Sequence, residues 1–254
     1  MAQWALVTGA TVGIGESFTR LLASKGYNIA LVARDEVRLH ERAGELREKY
    51  GIQTFVLPAD LATKSGVKSV EKYIQSYEIE VLINNAGFAI NKVFTASDLG
   101  DEQDLLNVLV RTPMRLMHVI LPGMKERKSG TIINVSSVAG FIAGGTYSAA
   151  KSYLTVLSES LNTELKGTGV IVSALCPGFT RTEFHKRARM KMKGLPSFLW
   201  LNADKLVAKA WKDAQANKPV SIPGWQYKLL IAIFSITPRG LIRRVRLDEG
   251  KTKR

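Results

Sequence analysis

The 254-residue chain has a single cysteine, Cys176, so no disulfide can form within it and a reducing compartment is the natural setting. With no base beside it in sequence, Cys176 reads as a small buried hydrophobe rather than a nucleophile. Histidine is scarce as well: His40, His118 and His185 are scattered without ligand spacing, which argues against a metal site. No apolar run approaches the ~20 residues needed to cross a bilayer. Met1–Thr8 has neither a basic n-region nor a cleavage site, so no signal peptide is expected and a cytoplasmic location follows. Residues 1–180 also lack charge of either sign in excess, with 18 Lys and Arg against 17 Asp and Glu, whereas residues 181–254 hold 18 against 5. Nearly all of the net +14 therefore sits in the last third. Such a surface suits nucleic acid, anionic membrane or an acidic ligand, and charge alone does not choose between them.

What is present is an alternation of apolar runs and amphipathic stretches. With 46% hydrophobic and 23% charged residues, it reads as one globular α/β domain over residues 1–254. Gln3–Thr8 reads as a buried strand, Gly9-Ala10-Thr11-Val12-Gly13-Ile14-Gly15 as a glycine-rich turn, and Glu16–Lys25 as a helix. Strand, glycine turn and helix in that order form a phosphate-binding unit: the glycines allow close backbone approach and the helix N-terminus offers N–H groups. Asn28–Ala33 is a second strand covered on both faces. Arg34 follows it, where an NAD-binding site would place an acid, and an arginine there suits the 2′-phosphate of NADP. Asp35 competes as that acid displaced by one position, but it also stands where a helix N-cap is wanted.

Further strands are expected at Gln53–Leu57, Val81–Asn84, Thr131–Ser136, Val170–Cys176 and Val220–Pro223. Helices are expected at Glu36–Tyr50, Lys64–Tyr77, Asp98–Met124 and Tyr147–Leu165. This alternation implies a doubly wound parallel sheet with its ligand outside the strand carboxyl ends, where Asp60, Asn85 and Gly87 fall. Pro113 should weaken or kink the helix near Asn107, whose freed carbonyls and amide could hold water. In the last of these helices Ala150, Leu154, Leu157, Leu161 and Leu165 form a core stripe. Tyr147 and Lys151 lie one turn apart on one face of it. A nearby cation stabilises a phenolate, making Tyr147 a candidate general acid.

Thr8-Gly-x-x-x-Gly-Ile-Gly15, Asn84-Asn-Ala-Gly87, Asn107, Ser137, Tyr147-x-x-x-Lys151 and Pro177-Gly-x-Thr180 occur in the order found in short-chain dehydrogenases/reductases. From residue 3 to about 182 the chain resembles that family, and within it the NADP-preferring carbonyl and ketoacyl reductases. The resemblance implies a Rossmann-like sheet of seven strands and an NADP(H) cofactor held by Gly9, Thr11, Val12, Gly13, Ile14, Gly15 and Arg34. It implies that Tyr147 is the proton donor, Ser137 binds the substrate carbonyl oxygen, Lys151 lowers the phenol pKa and bonds the ribose, and Asn107 holds a relaying water. Asp60, Leu61, Asn85, Ala86 and Gly87 would line the adenosine side, and Pro177, Gly178, Thr180 and Thr182 the carboxamide side. The segment from Val138 to Thr146 is shorter than the family usually has. Ser136 therefore remains an alternative to Ser137, although Ser-Val-Ala-Gly after Val135-Ser136 matches the family's pattern.

Beyond Thr182 the resemblance fades. Residues 183–202 mix Lys186, Arg187, Arg189, Lys191 and Lys193 with Phe184, Met190, Met192, Leu195, Phe198 and Trp200, which reads as an amphipathic substrate lid with a basic outer face. Such a lid suits an apolar carbonyl substrate with an anionic handle, such as a ketoacyl thioester. Trp225–Ile236 is apolar and a basic tail follows it, so residues 220–254 read as a variable segment. They fit peripheral contact with an anionic membrane at its inner face, a partner subunit in a homo-oligomer, or the chain's own pocket. No motif accompanies the charge, so nucleic acid is not expected. The rival to an enzyme is a protein that binds NADP(H) on the same fold and regulates a partner or sits at a membrane.

Overall fold

The computed structural model describes residues 3–184 and 196–242. Seven parallel strands form one sheet: β1 Trp4–Thr8, β2 Asn28–Ala33, β3 Thr54–Pro58, β4 Ile79–Asn84, β5 Gly130–Val135, β6 Val170–Leu175 and β7 Val220–Ser221, in the order β3-β2-β1-β4-β5-β6-β7. The expected Rossmann-like seven-stranded sheet is therefore present. Alternation along β1 shows how it is covered. Leu6 faces a core built with α3 (Lys64–Ser76), α5 (Thr112–Arg127) and α6 (Gly145–Glu164). Its neighbours Ala5 and Val7 face another built with α1 (Gly13–Ala23), α2 (Glu36–Tyr50) and α7 (Ala203–Gln215). Burial on both sides explains why β2 reads Asn-Ile-Ala-Leu-Val-Ala without polar alternation.

The strand order reverses between β1 and β4, and the crevice outside their carboxyl ends is where such sheets bind ligands. Local signals set most boundaries. Asp35 caps α2 by accepting from the Arg38 amide at 3.1 Å, and Gly51, at φ 66°, ends it. β7 stops at Ser221 rather than Pro223, pairing with β6 only at Ala174–Val220 and Leu175–Ser221.

Three expectations need correction. The first helix begins at Gly13, not Glu16, so Gly13 and Gly15 belong to its first turn. The stretch expected as one helix over Asp98–Met124 is α4 (Leu99–Leu106), a π turn over Asn107–Arg111, and α5. Pro113 cannot donate to a carbonyl four or five residues back, and the chain absorbs the loss by widening one turn, closed by the Thr112 amide on the Asn107 carbonyl. In α6 the fully buried line is Ser148, Ala150, Lys151, Leu154, Thr155 and Ser158, while Leu157 and Leu161 are only partly buried. A polar line is tolerated there because its members are bonded: Ser158 takes part in a buried chain with Asn134 and Asn84, at 2.9 and 2.8 Å.

Candidate active site

The glycine turn is held from below. Thr8 Oγ1 accepts from the amides of Asn85 (2.9 Å) and Ala86 (3.0 Å), tying the end of β1 to the segment after β4. The Asn85 side chain donates to the carbonyls of Thr8 (2.9 Å) and Gly9 (3.1 Å), so its amide fixes the turn itself. Gly9 and Gly13 have φ of 65° and 61°, in the left-handed region. A Cβ on Gly13 would lie 2.9 Å from that of Thr182, which brings the Pro177–Thr182 segment to the same rim. Side chains of Asp35, Thr63, Asp98 and Asn202 cap α2, α3, α4 and α7. At the start of α1, Val12 has no acceptor to offer, and the first-turn N–H groups are left for a ligand. Glycines that bring backbone close, half-buried Val12 and Ile14, and an uncapped helix fit the pyrophosphate of a dinucleotide.

Around this cradle stand the other cofactor candidates. Arg34 is exposed and makes no ion pair among the described residues. Asp35 by contrast is engaged, capping α2 and pairing with Arg38 at 3.4 Å. Asp60 closes a turn on the Ala62 amide (3.0 Å), and buried Leu61 gives its carbonyl to Thr112 at 2.9 Å. The loop after β3 is thereby joined to the π turn. A Cβ on Gly87 would meet Leu109 of that turn at 2.8 Å, with the Lys151 Nζ at 3.9 Å.

Lys151 is 5% exposed and its Nζ donates to the Val135 carbonyl at 2.7 Å. The same Nζ lies 5.7 Å from the centroid of the Tyr147 ring, so the one-turn spacing does bring the two together. Burial pulls the ammonium down from 10.5 to about 8. Cys176 itself is fully buried and burial pushes its thiol up to about 11, the behaviour of an inert core residue.

The two serines separate cleanly. Ser136 is 2% exposed and is bonded at 2.7 Å to both the Lys151 carbonyl and the Thr155 hydroxyl, which fastens β5 to α6. Ser137 is half-buried, and its Oγ accepts from the Ala139 amide at 3.1 Å, so its hydrogen remains to be donated.

Two aromatic residues of this region were not singled out as site residues from the sequence. Phe184 lies 6.1 Å from the Tyr147 ring. Tyr227, on α8 (Trp225–Ile236), packs flat on Gly178, where any Cβ would collide with its ring. Its hydroxyl accepts from the Phe179 amide at 3.0 Å and donates to the Leu199 carbonyl at 2.5 Å. The bare backbone of Gly178 was the only signal that something large would lie on it. Most of the expected lid, residues 185–195, falls outside the described residues.

A parallel sheet with this strand order, carrying a glycine turn and an uncapped helix at its switch point, defines a dinucleotide-binding α/β protein. The family model for short chain dehydrogenases matches residues 3–193, and the chain belongs to that family of NAD(P)-dependent oxidoreductases. It is 36% identical to a very-long-chain 3-oxoacyl-CoA reductase of Laccaria bicolor, over 89% of this chain and 70% of that one. A short-chain dehydrogenase from Sphingobium yanoikuyae in complex with NADPH shares the fold with a TM-score of 0.84, 30% identity and 99% of both chains covered. A bulky-bulky ketone specific alcohol dehydrogenase from Comamonas testosteroni does so at 0.79 and 29% identity, over 96% of this chain and 95% of its own.

Proposed function

We propose that the protein is an NADPH-dependent reductase of an apolar, lipid-like ketone, such as a 3-ketoacyl thioester, with Tyr147 as the general acid. The observation that carries this reading is the buried Lys151 ammonium, seated on the Val135 carbonyl and 5.7 Å from the centroid of the Tyr147 ring. Bound NADPH supplies hydride to the carbonyl carbon. Negative charge then builds on the substrate oxygen, which needs a donor already in place and a proton delivered as it forms. The Ser137 hydroxyl is that donor and the Tyr147 phenol gives the proton. Lys151 stabilises the phenolate left behind and reaches the nicotinamide ribose, and Asn107, at the π turn, holds the water that returns the proton. The glycine turn with Thr11, Asp60, Leu61, Ala86 and Gly87 holds the adenosine side, and Pro177, Gly178, Thr180 and Thr182 hold the carboxamide.

The substrate class draws support from the relative that is a very-long-chain 3-oxoacyl-CoA reductase and from the fold neighbour specific for bulky-bulky ketones. The test is a panel of ketones and 3-ketoacyl thioesters followed by loss of NADPH absorbance. Turnover of an apolar member is expected. If NADPH binds and no member is reduced, the protein is instead a non-catalytic NADP(H)-binding protein.

Two further outcomes follow from the same site. Arg34→Ala weakens NADPH by about 10- to 100-fold, the worth of one charge-assisted phosphate contact, and leaves NADH nearly unchanged. Equal weakening of both cofactors in titrations would remove the 2′-phosphate contact. The pH profile follows from Lys151, whose charged form is the protonated one. With its pKa lowered to about 8, the free enzyme loses this proton as pH rises through 8, and kcat/KM for ketone reduction should fall above that point. A flat profile to pH 9.5 would show that the ammonium is not needed. Unfolded lysine titrates near 10.5, so between about 8 and 10.5 the unfolded chain binds the extra proton and this group's burial penalty lessens as pH rises.

A further inference from the structure

The outward side of α8 is apolar where a surface helix is ordinarily polar. Trp225, Leu229, Ile233 and Ile236 recur at spacings of four, four and three, which puts them on one side of the helix. They are 72%, 55%, 47% and 83% exposed. The opposite side carries Tyr227, the buried residue by which α8 is fastened to Phe179 and Leu199. Phe198, 61% exposed, stands beside the helix, its carbonyl accepting from Gln226 at 2.9 Å. Among the described residues nothing covers this face.

Charge says what does. Between Asp213 and Asp248 the sequence has no acidic residue, but it has Lys228, Arg239, Arg243, Arg244 and Arg246, besides Lys218, which pairs with Asp213 at 3.0 Å. We propose that α8 is an interfacial docking helix for an anionic lipid bilayer, its apolar side entering the acyl boundary while the cations next to it in sequence meet lipid phosphates. Its 12 residues span about 18 Å, short of the ~30 Å hydrocarbon core, so it lies along the surface rather than across it. A second copy of the chain fits less well, because a stretch without an acidic residue between Asp213 and Asp248 offers its own copy no opposite charge. Tyr227 gives the docking a consequence. It joins α8 to the Gly178–Phe179 backbone at the rim of the active site, so a docked helix holds that rim at the lipid surface.

The experiment is sedimentation of the full chain with vesicles of phosphatidylcholine alone or mixed with phosphatidylglycerol, beside the variant Leu229→Ser/Ile233→Ser/Ile236→Ser. These positions are exposed, so the variant should keep its thermal midpoint and its NADPH binding, which are measured alongside. The expected result is salt-sensitive binding to the anionic vesicles only, weakened more than about tenfold in the variant. Absence of binding at low salt, or binding that the variant retains, overturns the proposal. So does sedimentation velocity without lipid showing that the wild type is a dimer which the variant splits, since the face would then be covered by a second copy.

Discussion

Tyr147→Phe should lower kcat for ketone reduction by about 10²- to 10⁴-fold while the affinity for NADPH, read by titration, stays within a few-fold of wild type. Phenylalanine keeps the ring that lies above the Lys151 ammonium and beside Phe184, so packing and the cation–ring contact survive. Only the hydroxyl is lost. Hydride arriving at the carbonyl carbon would then leave an alkoxide with no proton source in place, since the Ser137 hydroxyl can hydrogen-bond the oxyanion but not neutralise it. The loss should appear in kcat rather than KM, because the hydroxyl matters most where charge has developed. Unchanged turnover in this variant would exclude Tyr147 as the acid and send the assignment to another residue.

Gly15→Ala and Gly44→Ala are the same chemical change made inside two helices, and they should move stability in opposite directions. At Gly44, on α2, an added Cβ meets nothing closer than the Arg47 guanidinium at 3.9 Å. The helix then gains the usual ~0.5–1 kcal/mol of a glycine-to-alanine replacement, and the thermal midpoint rises. At Gly15, on α1, the added carbon falls on the Gly9 carbonyl oxygen and presses on the Asn85 amide. Neither can retreat: the carbonyl belongs to the turn, and Asn85 is bonded to Thr8 and Gly9. A cost of about 1–3 kcal/mol for forced overpacking outweighs the helix gain, so the midpoint falls. The turn must also open, and NADPH binding should drop by about 5- to 150-fold on this reading of the cradle, the affinity equivalent of that cost. A Gly15→Ala protein with wild-type cofactor affinity would show that the close approach of α1 to the Gly9 carbonyl has no part in binding.

The inner strands were legible because each is an apolar run bounded by turn residues, and burial on both faces, as in β2, removes the ambiguity that an exposed face would add. Helix α2 was legible to its ends, since Asp35 and Gly51 are local signals that act on their own neighbours. The start of α1 was misread by three residues because glycines are turn residues by propensity. Here they serve helix-to-turn packing, which only the Asn85 and Gly9 contacts reveal. Pro113 announced a defect, but its form, a π turn instead of a kink, depended on α5 having Thr112 to bond the Asn107 carbonyl.

The residue types and spacings by themselves determined the class of sheet, the glycine turn and the pairing of phenol with ammonium on one helix face, because the alternation of strand and helix, the turn glycines and the one-turn spacing are each written in short stretches of chain. The tertiary structure alone decided that Ser136 turns inward to α6 while Ser137 keeps its hydrogen to give. It alone decided that Tyr227, 49 residues away in sequence, closes over Gly178. In both cases the deciding partner is brought by another segment of the chain, which local pattern cannot place.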